Sequence, residues 1–420
     1  MSRFFALTLL FILLAGCTTV LDKLNLSAEI PRRTVDLNQG MTVCSHTAQR
    51  SPQLVGSNPK AQKRFSELLR TLEPENLDFV EKAVLWSLLQ TNIRPDLASP
   101  TARFQFVIHH NAPSRYRDFT GDEQGGYPFF EGLADLLKTH PKKRPLSYYA
   151  GLLDRHFTGT IVAGKQLEQS LRDLKPQLAA DPKLRQHFFR GDELIRESER
   201  LTKIQFQKLV SDWQKVRRAT PVNDTLFSYR KTPQLDVQCN YDFTLYDNSI
   251  FLIDKDENVG HTYGLTQGEN SFLAVVSQRT PEPRALFGTP ILSGNAKVRS
   301  SAMCLIRTPD RETWVVANQS RDPGQHLYHL FRYGLTKIKN PDDFRKLISH
   351  SRHMFLSDPL RLVIESGRSR EEQIQELLKL NIPIYNAEAI GNIWGWSNIQ
   401  NEGGRFYIDD RNPGSLFCAQ

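Results

Sequence analysis

The densest group of side chains able to do acid–base chemistry lies between residues 109 and 131. His109 and His110 end an apolar segment, and Asp118, Asp122 and Glu131 follow in a Gly-rich polar stretch. Histidine with a nearby carboxylate is a common general base. Adjacent residues of a strand point to opposite faces, so at most one histidine serves a given site. We take these five residues as candidate catalytic groups; a solvated loop between two elements is the alternative.

A second group has the spacing of metal ligands. His326 and His329 stand three residues apart, and Asp322 lies just before them. If the segment is helical, both imidazoles lie on one helix face. The HExxH motif is absent and no further ligand stands out, so structural or surface histidines are the alternative. We expect no metal and no other cofactor, and Asp322, His326 and His329 are the candidates should a metal bind.

Aromatic side chains alternate with amides near the end of the chain. Trp394, Trp396 and Phe406 lie among asparagines, a glutamine and a pair of glycines. Aromatic faces with neighbouring amides are typical of surfaces that stack on sugar rings. Packing in a hydrophobic core is the alternative.

The first seventeen residues have the pattern of an export signal. Arg3 precedes an apolar run from Phe4 to Leu14, and a Leu-Ala-Gly-Cys sequence ending at Cys17 closes it. The run of 11 apolar residues is shorter than the roughly 20 that a membrane-spanning helix needs. A basic start, a short apolar run and small residues at the exit indicate a signal peptide rather than a span.

This segment resembles the signal and lipobox of bacterial lipoproteins. The resemblance covers about 17 residues and implies that the Cys17 thiol carries a diacylglyceryl group and that cleavage makes Cys17 the N-terminus. Two or three acyl chains anchor a protein stably, whereas one does not. In Gram-negative members of the family an Asp after the Cys favours the inner membrane, so Thr18 implies the outer membrane, facing the periplasm. An uncleaved signal with a coincidental Cys is the alternative.

Charge and cysteine content agree with an exported protein. The chain carries a net charge of +8, and removal of residues 1–16, whose charged side chain is Arg3, leaves +7. A basic exported protein can contact anionic lipid headgroups or an acidic wall polymer, a merely basic surface is the alternative, and we expect no nucleic acid. Once Cys17 is lipidated, Cys44, Cys239, Cys304 and Cys418 remain. An even number in an oxidising compartment predicts two disulfides with three possible connectivities.

Hydrophobic periodicity predicts an α+β protein. After a signal peptide over residues 1–16 and a tether over 17–38, we expect a mainly helical domain over 39–219. Its longest helix is predicted from Asp192 to Arg218. A linker over 220–235 leads to a β-rich and then mixed α/β domain over 236–420. The predicted strands are Val237–Leu245, Ser249–Ile253, Phe272–Ser277, Ser301–Arg307, Thr313–Ala317, Leu360–Glu365 and Ile382–Tyr385.

Two functions follow from these patterns. Because the roughly 400 mature residues contain no intact catalytic motif, we expect a non-catalytic lipoprotein that binds or organises a partner in the periplasm or at the outer membrane, such as the cell wall or an envelope protein. The alternative is a hydrolase that acts on an envelope polymer, cell-wall glycan or peptide, with His109 or His110 and one of the three carboxylates as acid and base.

Overall fold

The structure is a computed structural model. It describes residues 52–110, 113–121, 126–138, 140–244, 246, 260–295, 301–320, 322–338, 341–357, 360–399, 403–409, 411 and 415–418. Cys17, Cys44, Asp122 and the predicted strand Ser249–Ile253 lie outside these residues.

Two antiparallel sheets form the centre of the molecule. In spatial order the first sheet consists of β20 (Ser415–Cys418), β1 (Gln53–Gly56), β9 (Gly260–Gln267), β10 (Asn270–Ser277), β2 (Arg103–His109), β3 (Arg115–Phe119) and β6 (Val222–Asn223). The second consists of β19 (Gly403–Ile408), β18 (Asn392–Ile399), β14 (Arg311–Asn318), β13 (Ser301–Thr308), β8 (Leu235–Cys239) and β7 (Phe227–Thr232).

Alternation along the strands buries both faces of each sheet. In β2, Phe104 and Phe106 join the core shared with the N-terminal helices, whereas Val107 joins the core between the sheets. Trp314 and Trp396 of the second sheet belong to the same core. This two-residue period is the signature of a strand that packs on two sides.

Helices cover both outer faces and give four layers. The outer face of the first sheet packs on most of the N-terminal helices, and the outer face of the second sheet packs on two later helices. The helices are α1 (Pro59–Thr71), α2 (Phe79–Ile93), α3 (Pro128–Lys138), α4 (Leu146–His156), α5 (Lys165–Asp173), α6 (Lys175–Ala180), α7 (Pro182–Phe188), α8 (Phe206–Val216), α9 (Pro323–Tyr333), α10 (Pro341–Ile348) and α11 (Glu371–Leu378).

Smaller units complete the fold. Strands β15 (His353–Ser357), β16 (Leu360–Ile364) and β17 (Ile384–Asn386) form a three-stranded sheet, in which β16 and β17 are parallel and α11 connects them. Two hairpins join β4 (Phe189–Arg190) to β5 (Glu193–Leu194) and β11 (Arg279–Ala285) to β12 (Leu292–Asn295). No helix in the described part of the chain is long and apolar enough to cross a membrane.

The α+β class and the strands at 272–277, 301–307 and 313–317 are confirmed. Strands from both sides of the predicted linker at 220–235 join the first sheet. One other expectation differs from the structure. The predicted helix Asp192–Arg218 is helical over Phe206–Val216 alone, because the chain turns at Gly191 and again at Ser198, both with left-handed φ angles.

Candidate active site

The junction between β14 and α9 places a serine on a tight turn. The strand ends at Asn318, and Gln319 follows with a φ of +54°. Ser320 comes next, and α9 begins at Pro323 with Asp322 as its N-cap. A left-handed conformation at a residue other than glycine costs on the order of 1 kcal/mol and is common at functional sites. A strand, a strained turn and a helix also carry the nucleophile of many serine hydrolases.

Ser320 contacts a histidine from the first turns of the same helix. Its Oγ lies 2.6 Å from Nε2 of His326 and accepts a hydrogen bond from the Asp322 amide at 3.3 Å. Ser320 is 8% exposed and His326 is 2% exposed. Burial, and then the charge of Arg352, hold the pKa of His326 well below its usual value. The imidazole is therefore neutral and able to accept a proton from the serine.

Asp322 holds the start of the helix next to this pair. Its carboxylate accepts hydrogen bonds from the Gln325 amide at 3.1 Å and from the Tyr246 hydroxyl at 2.6 Å. Burial raises the pKa of Asp322 to about 6. The positive end of the α9 dipole lies beside Ser320 and favours negative charge that develops there.

The space between the sheets becomes polar at this end. Ser301, Asn318 and Asn392 occupy neighbouring positions on three adjacent strands. The Asn318 amide donates to the Thr262 hydroxyl of the first sheet. The side-chain oxygens of Asn318 and Asn392 and Nδ1 of His326 are buried without a hydrogen-bond partner among the described residues. Such groups are costly unless a ligand or water satisfies them, which distinguishes this end from the tryptophan-lined remainder of the inter-sheet core.

Of the predicted acid–base residues, His109 joins a chain of polar groups. The Ser114 hydroxyl lies 3.3 Å from its Nδ1 and donates to Glu312. Burial, the largest influence on Glu312, raises its pKa, but hydrogen bonds from His109 and Arg307 bring it below its usual value. If Nδ1–H donates to the serine, Nε2 is left as an acceptor. The His109–Ser114–Glu312 group lies at the opposite end of β14 from Ser320. It is a second candidate for catalysis.

The remaining predicted residues have structural contacts. His110 hydrogen-bonds Asn270 at 2.9 Å and stacks on Phe79. Asp118 is buried against the Arg103 guanidinium, and Glu131 forms two hydrogen bonds with Arg217 at 2.8 and 2.9 Å. Each of these three side chains is thus paired with a residue other than His109, and the choice of an acid or base among the candidates stays a prediction.

The three candidate metal ligands do not come together either. Asp322 caps α9, His326 contacts Ser320, and His329 stacks on His353 with ring centroids 4.2 Å apart. In the described residues, a group with metal-ligand spacing is instead formed by Asp78, Glu81 and His140. Lys142 and Arg144 bind the carboxylate of Glu81, and Tyr149 donates to it at 2.9 Å. These donors already satisfy that carboxylate.

The predicted sugar-binding aromatics lie in the core. Trp394, Trp396 and Phe406 are at most 3% exposed and pack between the two sheets. Their faces are covered by other side chains, so they offer no platform for a sugar ring. The core-packing alternative is confirmed.

One of the predicted disulfides lies within the second sheet. Cys239 and Cys304 are opposite each other on β8 and β13 and are bonded. Cys418 is also disulfide-bonded, with its partner outside the described residues. The other predicted half-cystine, Cys44, is outside those residues as well.

Sequence comparisons found no relative, and structural comparisons found the fold. No family model and no curated protein matches the chain. The structure named LmbA2991T421A aligns with a TM-score of 0.60 and 9% identity over 90% of this chain and 99% of its own. A cephalosporin acylase from Bacillus halodurans aligns with a TM-score of 0.59 and 9% identity over 94% and 98%. The chain thus shares its fold with these proteins, and at this identity the likeness concerns the fold alone.

Ser320 was missed by the sequence analysis. A nucleophile elbow has a glycine two residues before its serine and another two residues after it. Around Ser320 these two positions are Asn318 and Asp322, and the positions between are Gln319 and Arg321, so the motif is absent. The available signal was the Asp322–Pro323 pair, an N-cap followed by proline at the first helical position. It marks the start of a helix directly after the serine.

Proposed function

We propose that this protein is an amide-bond hydrolase of the bacterial cell envelope, with Ser320 as nucleophile and His326 as general base. The observation that carries the proposal is the 2.6 Å contact between Ser320 Oγ and His326 Nε2 on a strained strand-to-helix turn. The likeness of the fold to a cephalosporin acylase supports it, because an acylase cleaves the bond between an acyl group and an amine.

The proposed reaction proceeds through an ester of Ser320. As Oγ attacks the amide carbon, its proton passes to Nε2 of His326. The C–N bond then breaks, and the leaving amine takes that proton from His326. Water attacks the ester carbon, gives a proton to Nε2, and the proton returns to Oγ as the acid leaves. The neutral state of His326, enforced by its burial, is the state that both proton-accepting steps require.

Among envelope polymers, the site favours the wall peptide over the wall glycan. Glycosidases generally use two carboxyl groups that flank the scissile bond, one as acid and the other as base or nucleophile. The carboxyl group of Asp322, two residues after Ser320, caps a helix and accepts from Tyr246. A serine–histidine pair instead suits acyl transfer, so we take a peptide or acyl-amide bond of the envelope as the substrate.

The test measures amines released from purified cell-wall sacculi by the full-length protein in mild detergent. Ser320→Ala and His326→Ala should each lower the release at least about 100-fold, since nucleophile and base act as a unit. Ser211→Ala and His156→Ala change exposed residues of α8 and α4 and should leave it unchanged. Equal release by Ser320→Ala and wild type would refute the assignment.

The same assay separates the alternatives. Loss of release in His109→Ala but not in Ser320→Ala would move the reaction to the His109–Ser114–Glu312 chain. Protein that pellets with sacculi without releasing amines would support a non-catalytic wall-binding lipoprotein, the first of the two functions that the sequence suggests.

We further propose that the protein is anchored to the outer membrane through lipid on Cys17 and faces the periplasm. The support is the signal and lipobox pattern of residues 1–17, the Thr at position 18 and the disulfide between Cys239 and Cys304. Disulfides persist in oxidising compartments, and an anchored hydrolase is held beside its polymer.

A further inference from the structure

A small unit of the fold covers the Ser320–His326 pair. We call residues 353–357 and 360–386, which contain β15, β16, α11 and β17, the cap unit. Its side chains Met354 and Leu356 form an apolar cluster with Ile390 that is separate from the three larger cores. Pairing of β15 with β16 and of β16 with β17 joins the cap unit internally, whereas Ile390 lies just beyond it.

Two parts of the chain close the site from this side. Met354 of β15 places its Sδ 3.4 Å from Ser320 Oγ. Gly391, just beyond the cap unit, approaches the ring of His326 so closely that an added Cβ would lie 3.1 Å from Nε2. A substrate carbonyl needs to reach Oγ, and the 8% exposure of Ser320 shows that the site is covered in this conformation.

The base of the cap unit is fixed by buried charges. Glu365 accepts hydrogen bonds from the amides of Arg352 at 2.8 Å and Ile390 at 2.7 Å, and so ties the entry to the exit of the unit. The Arg411 guanidinium binds the same carboxylate, and Arg352 pairs with Asp409, which directly follows β19 of the second sheet. Breaking a buried ion pair is costly, so this end stays attached.

The contacts that the described residues show above the active site join uncharged groups. The side chain of Gln325 on α9 accepts from the Phe355 amide at 2.8 Å and donates to the Phe355 carbonyl at 3.4 Å. His353 stacks on His329 of the same helix. On the outer side, α11 has no buried residue. A unit with an ionic base and an uncharged contact at its opposite end has the construction of a hinged element.

We propose that the cap unit is a cover that opens about its base, the Glu365–Arg411 end, and so controls access to Ser320. The Gln325–Phe355 hydrogen bonds and the Met354–Ser320 contact hold the cover closed. The consequence for catalysis rests on the proposed function, whereas the covering of Ser320 does not. Access to position 320 is therefore measured chemically, without reference to hydrolysis.

The experiment follows alkylation of a thiol at position 320 in the full-length protein. Ser320→Cys is treated with iodoacetamide, and the rate is read by mass spectrometry on the peptide that contains residue 320. We expect a rate at least 10-fold below that of Ser211→Cys on the exposed side of α8. Adding Gln325→Ala should raise the rate at position 320 about 10-fold, whereas adding Gln375→Ala, the same change on the exposed face of α11, should not.

Two results would overturn the cover. One is alkylation of Ser320→Cys as fast as Ser211→Cys, and the other is equal rates with Gln325→Ala and Gln375→Ala. A measurement on the unaltered protein guards against misfolding of the variants: the Phe355 amide should exchange hydrogen at least 10-fold faster than the Val315 amide of β14, and equal exchange would also refute independent opening. If Ser320→Ala keeps hydrolytic activity, the proposed function fails while these rates still decide the cover.

Discussion

At the scale of single residues, Gly391 governs how closely the chain approaches His326. Its φ is +61°, and a Cβ there would lie 3.1 Å from the imidazole and from the Asn318 carbonyl. Gly391→Ala should lower the free energy of unfolding by about 1–2 kcal/mol for the left-handed backbone. It should also displace His326 from Ser320 and lower amine release at least about 10-fold.

The matched control for Gly391→Ala is Gly268→Ala. Gly268 has nearly the same φ, +62°, but nothing lies within 4 Å of an added Cβ. Urea denaturation should show a similar backbone cost in both variants, while release from sacculi falls in Gly391→Ala alone. Equal activity of the two variants would mean that the position of His326 is not limiting.

The sequence identified two residues of the candidate site but not their chemistry. Asp322 and His326 were singled out by spacing as metal ligands, yet in the structure they cap a helix and contact Ser320. Spacing along one helix is visible in a sequence, whereas the identity of the third group is not. The partner of His109 is Glu312, about two hundred residues away, and no local pattern predicts such a contact.

At the scale of elements, the stacked imidazoles between α9 and β15 make the cap contact sensitive to acid. Burial, and then the charge of His353, lower the pKa of His329 to about 3, whereas burial, and then the charge of His350, lower the pKa of His353 to about 4. An unfolded histidine titrates near 6.5. As the pH falls from 6.5 towards 4, the unfolded chain takes up protons that the folded chain refuses, so stability declines over this window.

His353→Phe should remove most of the His353 contribution while an aromatic ring remains to stack. The loss of unfolding free energy between pH 7 and pH 4 should then be smaller than in wild type by roughly 2 kcal/mol. His326, His350, Tyr333 and Arg352 also face this region. These groups contribute to the pH dependence of stability, and Asp322 contributes with the opposite sign. Their contributions are largely the same in wild type and in His353→Phe. Urea denaturation at pH 7, 5.5 and 4 measures the difference, with His156→Phe as the exposed control. Parallel curves for wild type and His353→Phe would contradict this account.

Elements with a strong period were predictable and those set by turns were not. The alternation of β10, β13 and β14 gave their positions to within a few residues. The spacing of Ile195, Leu201 and Ile204 predicted a helix that the structure does not have. These side chains are buried, but they belong to extended segments and turns. Turns at Gly191 and Ser198 determine the path of the backbone in this segment. A left-handed conformation at a residue other than glycine is difficult to predict from sequence.

At the scale of the whole molecule, the class was predictable and the assembly was not. The α+β class follows from composition and period, but β1 lies between β20 and β9, so strands from the beginning, middle and end of the chain are neighbours. Pairing across such separations depends on the three-dimensional match of strands rather than on local sequence. A division into a helical and a β-rich half therefore follows the order of the chain, whereas the sheets combine both halves.

The proposed lipid anchor would determine where the protein acts, and Cys17 provides its test. Wild type should stay with membranes after a carbonate wash, because two or three acyl chains hold a protein stably. Cys17→Ala should not be lipidated and should leave the lipid-attached fraction, whereas Cys239→Ala, which breaks the internal disulfide, should remain lipid-attached.

Thr18→Asp should move the anchored protein from the outer to the inner membrane in a Gram-negative host. Metabolic labelling with an alkyne fatty acid measures lipid attachment, and density-gradient separation of the membranes measures the location. Labelling of Cys17→Ala equal to that of wild type would refute the anchor, and release of amines from intact cells by wild type alone would show that anchoring brings the hydrolase to its substrate.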